Sequence, residues 1–411
     1  NILVIQQIMV DKDTYIAVLA GLGGFSDGFA LLLGGAALLS LSQYFKLTPG
    51  IEGLIISIPF IGSVIGSLIF GRLSDVLGRK AIFLNVLVFF ALGSFISAVA
   101  YTTLLVIIGR LLVGIGIGGD IPSGASLVAE LSNESSRGRL ISIQSILWGL
   151  GGAIAALIAL PLLNLTGIES WRIMLGLGAI PPLIVLALRR GINESWVWEI
   201  KRRSSNIRLS NRNKYALVLA FTAASLFTWT FTLAIFANYT PTILVNTMSL
   251  NKAMALLISG LQWIGFVIGG LIVFKYCDRL GRRILIIPAT VGEAILLYLS
   301  VIMVKDPLAL SLALITLWVL GGIGYIVNSI YSAELFPTLL RGTSSGISFS
   351  AGRLGGYIST LILPILLLNA GLSKILLILA VMMTPLTVVC MFTAPRGENR
   401  SLEELEKDYF K

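Results

Sequence analysis

The chain has 411 residues, 56% of them hydrophobic and only 12% charged, with a mean hydropathy of +0.94. A soluble chain carries about 25% charge, so a solvated surface for a protein of this length is excluded and a membrane class is implied. The net charge of +10 forms no groove-like patch, because the basic residues fall in short clusters between apolar runs. Nucleic acid is therefore excluded as a partner, and the lipid bilayer takes its place.

The chain contains no histidine, which excludes His-ligated metal sites, Ser-His proteases and histidine proton relays. Proton chemistry falls to carboxylates, and neither a metal site nor a cofactor is expected. Cys277 lies in a basic loop and Cys390 in an apolar run, so no disulfide framework is expected. No cleavable signal segment is evident.

A spanning helix needs roughly 20 apolar residues. Runs of that kind follow one another near 15–41, 51–70, 81–100, 104–131, 139–163, 171–188, 215–245, 253–274, 284–303, 308–335, 342–368 and 372–394. The predicted fold class is thus an all-α membrane protein of twelve transmembrane helices. Turn residues and charges punctuate the runs, as at Thr48-Pro49-Gly50 and Lys305-Asp306-Pro307.

With the N-terminus placed inside, the inner loops and tails hold 23 of the 30 Lys and Arg, counted along the sequence. Among them are Arg72, Arg79 and Lys80, Arg137 and Arg139, the run from Arg189 to Lys214, and Lys275, Arg279, Arg282 and Arg283. The outer loops hold five: Lys46, Arg172, Lys252, Lys305 and Lys374. This is the asymmetry of the positive-inside rule, and it places both termini in the cytoplasm of a multi-pass cell-membrane protein.

The polar segment after residue 188 divides the chain. An N-terminal six-helix half is read at 1–188, a cytoplasmic central linker at 189–213, a C-terminal six-helix half at 214–394 and a cytoplasmic tail at 395–411. Two motifs recur across the divide. Gly71-Arg72-Leu73-Ser74-Asp75-Val76-Leu77-Gly78-Arg79-Lys80 returns as Asp278-Arg279-Leu280-Gly281-Arg282-Arg283, at an offset of 278 − 75 = 203. Ala129-Glu130-Leu131 with Arg137-Gly138 returns as Ala333-Glu334-Leu335 with Arg341-Gly342, at 334 − 130 = 204. Two motifs at nearly one offset indicate duplication, and parallel halves with a midplane site are a secondary-transporter plan. Asp75, Arg79, Glu130, Arg137, Asp278, Arg282, Glu334 and Arg341 are the expected cytoplasmic gate, because Asp beside Arg in a short turn can bond charges on a neighbouring helix end. Topological anchoring is the competing reading.

The 71–80 motif resembles the signature of the major facilitator superfamily, and the resemblance runs over nearly the whole chain. Gly109-Arg110 with the glycines to Gly119, Glu334-Leu335-Phe336-Pro337 and the tail from Pro395 to Glu404 are similar to the sugar-porter branch. Gly118-Gly119-Asp120-Ile121-Pro122 resembles phosphate–proton symporters, with isoleucine in place of their tyrosine, and Arg353 stands where those carriers have lysine. Tyr331 to Thr338 is similar to organic-ion carriers. Thr230 and Trp148 replace the phosphate carriers' aspartate and glutamine, and Thr228-Trp229 stands at the sugar porters' Gln-Gln pair. The resemblance implies two pseudo-symmetric six-helix halves and alternating access.

Asp27, Arg110, Asp120, Glu293 and Arg353 lie inside predicted helices. There an ionisable group costs roughly 2.5 kcal/mol or more, so each is a functional candidate. Asp27 lies about 18 Å into its helix at 1.5 Å per residue, near the midplane. Asp120 and Arg353 fall at similar depth, and the four residues Asp27, Arg110, Asp120 and Arg353 are expected to face one cavity. A carboxylate that exchanges an Arg partner for a proton couples protons to transport. Asp27 is the main candidate, with Arg110 as its partner, as the resemblance also implies; Asp120 is the second. Arg353 can bind an anionic substrate through its forked guanidinium. Static pairs holding helices together are the competing reading, and Glu293 is read as structural.

Gln144, Trp148, Trp229, Asn238, Tyr239 and Gln262 supply amides and aromatic faces for a small-molecule substrate, against the alternative of ordinary packing. The glycine run at 114–119 has no preceding strand, so a dinucleotide fingerprint is excluded and close helix approach is the better account. The function read from the sequence is proton-coupled symport of a sugar or an organic or inorganic anion by a monomer. A passive facilitator or exchanger is the alternative, and no enzyme constellation is found.

Overall fold

The computed structural model describes residues 2–192, 194–195, 197–200, 212–395, 400–402 and 404–405. Hydrocarbon offers the backbone no water, so an apolar chain of this composition must bond its amides within each segment. The described elements are accordingly helical: α1 Ile2–Phe45, α2 Pro49–Leu77, α3 Arg79–Ala98, α4 Thr103–Leu131, α5 Arg137–Thr166, α6 Ser170–Leu177 and α7 Ile180–Arg189, then α8 Arg212–Met248, α9 Lys252–Leu280, α10 Arg282–Met303, α11 Pro307–Glu334 and α12 Thr338–Thr393. Thr102 and Asn251 cap α4 and α9 by accepting from Leu105 N and Met254 N, and Asp306 caps α11 ahead of Pro307. These are the residue types that satisfy the first free amides of a helix.

Eleven described segments are long and apolar enough to cross a membrane. The sixth, Gly167–Arg189, combines a short 3-10 turn with α6 and α7. Pro181 and Pro182 lack the N–H needed to continue α6, so a new helix begins at Ile180. The last segment, α12, has 56 residues, about 84 Å at 1.5 Å per residue, where a bilayer core is about 30 Å thick. It is broken at Gly371, whose φ of 76° suits only glycine among common residues. The break makes two crossings of α12 and gives the expected twelve.

Helices α1–α7 form one six-span half and α8–α12 the other. Their pseudo-symmetry extends to individual packing contacts. Gly66 of α2 lies so close to α4 that a Cβ would stand 2.2 Å from the Ile115 carbonyl oxygen. Gly269 of α9 stands in the same relation to Val319 O of α11, again at 2.2 Å. The offsets are 269 − 66 = 203 and 319 − 115 = 204. Ser63 and Ser67 donate to Gly114 O and Gly118 O at 3.0 and 2.9 Å across the same α2–α4 seam. Between the halves, α2 packs on α12 and α5 on α9, two seams related by the same pseudo-twofold.

One sequence expectation changes. The linker was placed to begin at residue 189, but Arg189 closes α7 and is wholly buried in the first half. Residues 193, 196 and 201–211 of the expected linker, and 396–399, 403 and 406–411 of the expected tail, lie outside the described residues.

A methyl group at Gly66 or Gly269 would meet backbone rather than a yielding side chain. We therefore expect Gly66→Ala and Gly269→Ala each to destabilise the detergent-solubilised protein by about 1–3 kcal/mol, the usual cost of overpacking. Gly50→Ala, where nothing lies within 4 Å of the added carbon, is the matched control. Thermal unfolding curves for the three variants test this; equal midpoints would remove the close-approach account.

Candidate functional site

Two groups of buried charge tie the halves together, one at the end carrying the α2–α3 and α9–α10 turns, the other at mid-depth. The turns themselves match: Gly78 and Gly281, 203 positions apart, take φ of 107° and 96°, a backbone region that favours glycine. Each turn delivers an arginine to a buried glutamate of its own half. Arg79 Nη2 lies 3.0 Å from Glu130 Oε1, and Arg282 bonds both oxygens of Glu334 at 3.1 Å. Arg79 also meets Asp75 at 2.5 Å, and Arg282 meets Asp278 at 3.0 Å.

The aspartates then cross the divide. Asp75 accepts from Gly342 N at 3.1 Å and from Thr343 N and Oγ1 at 2.7 and 2.5 Å. Its counterpart Asp278 accepts from Gly138 N and Arg139 N at 3.1 and 2.8 Å, at the start of α5. Each half thus places a carboxylate against amides in the first turns of a helix of the other half, where a negative charge is favoured. Arg341 adds a cross-half ion pair to Glu130 at 3.0 Å. Arg137, its counterpart, donates to the carbonyl of Arg400 at 3.1 Å and acts on Glu334 electrostatically. All eight expected gate residues therefore fall in one layer.

Three residues of that layer escaped the sequence reading. Glu194 accepts from Arg79 N and Lys80 N at 2.9 and 3.2 Å. Ser195 donates to Glu130 at 2.5 Å, and the Trp198 indole donates to Asp75 O at 2.9 Å. The available signal was a tryptophan between charges in a segment classed as linker.

At mid-depth, Asp27 of α1 is 1% exposed and its Oδ2 takes two donors from other helices. Arg353 Nη2 of α12 lies 2.6 Å away, and Trp148 Nε1 of α5 donates at 3.0 Å. Asp27 Oδ1 has no partner among the described residues. The expected Asp27–Arg110 pair is not formed: among the described residues Arg110 reaches only Ala30 O, at 3.4 Å, and its Nε and Nη2 have no partner. Nor does Asp120 join Asp27. Arg189 pairs with it, donating also to Leu19 O through Nε and Nη2 at 3.1 and 2.9 Å and to Phe83 O at 2.9 Å. This bonding lies wholly within one half, so the four charged residues expected to share one cavity are split. Arg110 lies instead in a closely packed pocket with Ser94, Ser97 and Met174.

Arg353 instead lines a small cavity of about 20 Å³ between the halves. Leu31 and Phe60 close it from the first half, and Leu233, Ala234 and Ala237 of α8 from the second. Trp148, Thr230 and Tyr325 complete the wall. Trp148 heads an aromatic group in which its ring lies 4.6 Å from Trp263, 4.9 Å from Phe266 and 6.1 Å from Tyr325. Toward the end opposite the charged layer, a wider space of about 320 Å³ is bordered by Glu52, Tyr239 and Asn246.

Of the other predicted contacts, only Trp148 is at the central cavity. Tyr239 borders the wider space and donates to Thr360 O at 3.2 Å. Gln144 donates to Ile121 O at 3.5 Å, and Asn238 to Ala234 O of its own helix at 2.9 Å. Trp229 is fully buried against Gly324, a packing position. Gln262 Nε2 and Asn238 Oδ1 are buried without partners among the described residues. Glu293 is likewise fully buried in α10, with both carboxyl oxygens unpartnered among the described residues. Thr230 and Tyr325 were not singled out as site residues, because a linear sequence gives depth but not the direction a helix face points.

The model of the Major Facilitator Superfamily matches residues 19–356. The inner membrane metabolite transport protein YgcS of Escherichia coli K12 is 28% identical, covering 92% of this chain and 91% of its own. The putative metabolite transport protein YaaU of the same strain is 30% identical over 88% of this chain and 87% of its own. Among solved structures, the proton:xylose symporter XylE, an E. coli protein, bound to 6-bromo-6-deoxy-D-glucose, has a similar fold. Its TM-score is 0.84 at 19% identity, covering 97% of this chain and 99% of that one.

The cross-half carboxylates should hold the charged end shut. A hydrogen bond to a charged group contributes about 1.5–3 kcal/mol, so Asp75→Ala or Asp278→Ala should raise the open population at that end about tenfold or more. Spin labels at Arg72→Cys and Arg279→Cys, both exposed, report the separation, since the native cysteines are buried. Unchanged distance distributions in both variants would remove the latch role.

Proposed function

This chain belongs to the Major Facilitator Superfamily, and from that premise we propose that it is a proton-coupled symporter in which Asp27 carries the proton. It is a multi-pass membrane transporter of sugars or other metabolites and not an enzyme. The observation that carries the proposal is one bond: Asp27 Oδ2 to Arg353 Nη2, 2.6 Å, buried, and joining the two halves beside a cavity.

A buried carboxylate and guanidinium are costly to separate, because each would be left uncompensated; removing one partner of such a pair costs about 3–5 kcal/mol. A proton on Asp27 removes the carboxylate charge and with it the electrostatic part of that cost. The free Oδ1 is an open position for the proton. Protonation therefore loosens a tie between α1 and α12 at the depth where the halves must part. Arg110, which acts on Asp27 electrostatically without touching it, is a second cation available to that carboxylate once α1 and α4 shift. Asp120, fully occupied by Arg189, serves to fix α4 to α7 and is not the proton carrier.

With both termini in the cytoplasm, the charged layer is the cytoplasmic gate, closed here, and the wider space lies on the outer side. Alternating access then consists of rocking the halves 1–188 and 214–394 about the central cavity, breaking the cross-half caps of Asp75 and Asp278 as the inner side opens. The same layer carries the basic clusters that the positive-inside rule retains in the cytoplasm.

The decisive measurement is pH-gradient-driven uptake into proteoliposomes, with labelled hexoses, pentoses, phosphate and small carboxylates. Accumulation above equilibrium that collapses with a protonophore is expected for the wild type. Asp27→Asn should lose uphill accumulation entirely while keeping its place in the membrane and its exchange of substrate across it. Uphill uptake that survives Asp27→Asn sinks the assignment. Equilibration alone by the wild type makes the protein a facilitator or exchanger.

A further inference from the structure

We propose that the substrate is a compact, mainly apolar monocarboxylate, and that its carboxylate replaces that of Asp27 on Arg353 when Asp27 is protonated. This rests on the symport reading above and gives it a substrate class.

The argument begins with the wall of the central cavity. Leu31, Phe60, Leu233, Ala234, Ala237 and the ring of Trp148 cover most of it. The polar side chains on it are Arg353, Thr230 and Tyr325, and the Trp148 N–H is already given to Asp27. A hexose or polyol carries a hydroxyl on nearly every carbon, each with one donor and two acceptor positions. Against this wall most of them would be stripped of water without a partner, at a cost of about tenfold or more in affinity each. A ring or short branched chain with one charged end meets the opposite condition: its body takes the apolar and aromatic wall, and its head takes the guanidinium. In this closed form the cavity holds only about 20 Å³, room for little more than a water, so a ligand enters as the wall parts, which favours a compact body.

The charge balance selects the head group. Arg353 bonds Asp27 and borders the cavity at once, so a ligand carboxylate and Asp27 compete for one cation through the same chemistry. A neutral ligand has no means to break that pair. An anion arriving with Asp27 still ionised would place two negative charges on one guanidinium. An anion arriving with a proton for Asp27 leaves the site at its original net charge. The surroundings of Asp27 do not supply a substitute. Arg110 is held off on α4, Asp120 is matched by Arg189, Tyr325 on α11 is a neutral phenol, and Trp148 on α5 contributes an uncharged donor. Anion and proton are thus taken up together.

The test uses the purified full chain in detergent, with benzoate and cyclohexanecarboxylate as probes and benzamide, xylose and glucose as uncharged comparisons, followed by calorimetry or tryptophan fluorescence. Benzoate is expected to bind, with benzamide at least about thirtyfold weaker. Binding should tighten as pH falls, approaching about tenfold per pH unit, the slope for one proton taken up with each anion. Asp27→Asn frees Arg353, so it should bind benzoate tightly with the pH dependence gone. Arg353→Gln should lose benzoate binding. The double variant Asp27→Asn/Arg353→Gln, which leaves no unpaired charge, should lose it too and controls for folding.

Binding of xylose or glucose that benzoate does not displace would overturn the proposal. So would benzoate binding that ignores pH in the wild type or survives loss of Arg353, and so would failure of both carboxylates to bind. Proton-driven hexose accumulation abolished by Asp27→Asn would overturn this substrate class and leave the symport reading standing. Benzoate that binds with the stated pH dependence but only equilibrates across the membrane would support the class while the symport reading falls.

Discussion

A charge carried to the middle of a bilayer has to find its opposite inside the protein, and the choice of partner decides what the charge can do. Asp120 is met by Arg189, which adds bonds to the carbonyls of Leu19 and Phe83 in the same half. That arrangement has nothing to exchange with and nothing to gain from movement of the halves. Asp27 is met by Arg353 from the other half, shares a single oxygen between two donors, and leaves its second oxygen free. The same ion-pair chemistry is a rivet in one place and a releasable tie in the other. Of the two, the tie is the one that fits the proposed conversion of a proton into a change of shape.

The charged layer at one end applies the same constraint twice. Because the two halves are copies, a carboxylate that suits a helix start in one half has a twin that suits the equivalent helix start in the other. Asp75 on Gly342 and Thr343, and Asp278 on Gly138 and Arg139, are that pair. Duplication makes such cross-capping reciprocal without separate invention of each contact. The glycine turns at 78 and 281 are the local price: each is held in a backbone region that other residues avoid, so that the arginine following it is aimed inward.

Much of this was legible in the sequence, and the part that was not has a specific cause. Hydropathy gave the spans, since apolar runs long enough to cross a bilayer are hard to mistake, and the repeat offset near 203 pointed to the eight charged residues that share one layer. Depth within a span could be counted, which is why Asp27 and Arg353 were both placed near the midplane. Azimuth could not be counted: the sequence does not say which face of α4 looks at α1, so Arg110 was paired with Asp27 and Asp120 was set in the shared cavity. Arg189 was lost to the linker because it follows an apolar run and begins a basic one. Its side chain points back into the bundle, and the position of a Cα along a chain does not tell where a six-bond side chain ends. Glu194, Ser195 and Trp198 were missed for a related reason, since a segment that spans nothing was treated as doing nothing.

The apolar character of the central cavity bears on how tight the proposed coupling would be. In a site rich in hydroxyls and amides, water can stand in for a missing substrate, and a bare carboxylate can be tolerated while the halves move. Around Asp27 and Arg353 the wall is mostly leucine, alanine, phenylalanine and tryptophan, with Thr230 and Tyr325 as its neutral polar groups, and it holds no charge that could replace either member of the pair. An ionised Asp27 therefore holds Arg353 firmly and keeps the halves tied, while a protonated Asp27 without an anion leaves Arg353 unmatched in a poorly solvating space. Both half-loaded states are penalised, by the attraction in one case and by desolvation in the other. The states with low cost are the empty pair and the site filled by both anion and proton. In the proposed symport the halves move with the empty pair or with the fully loaded site, and a leak of either ion alone is disfavoured by the chemistry of the wall rather than by any separate gate.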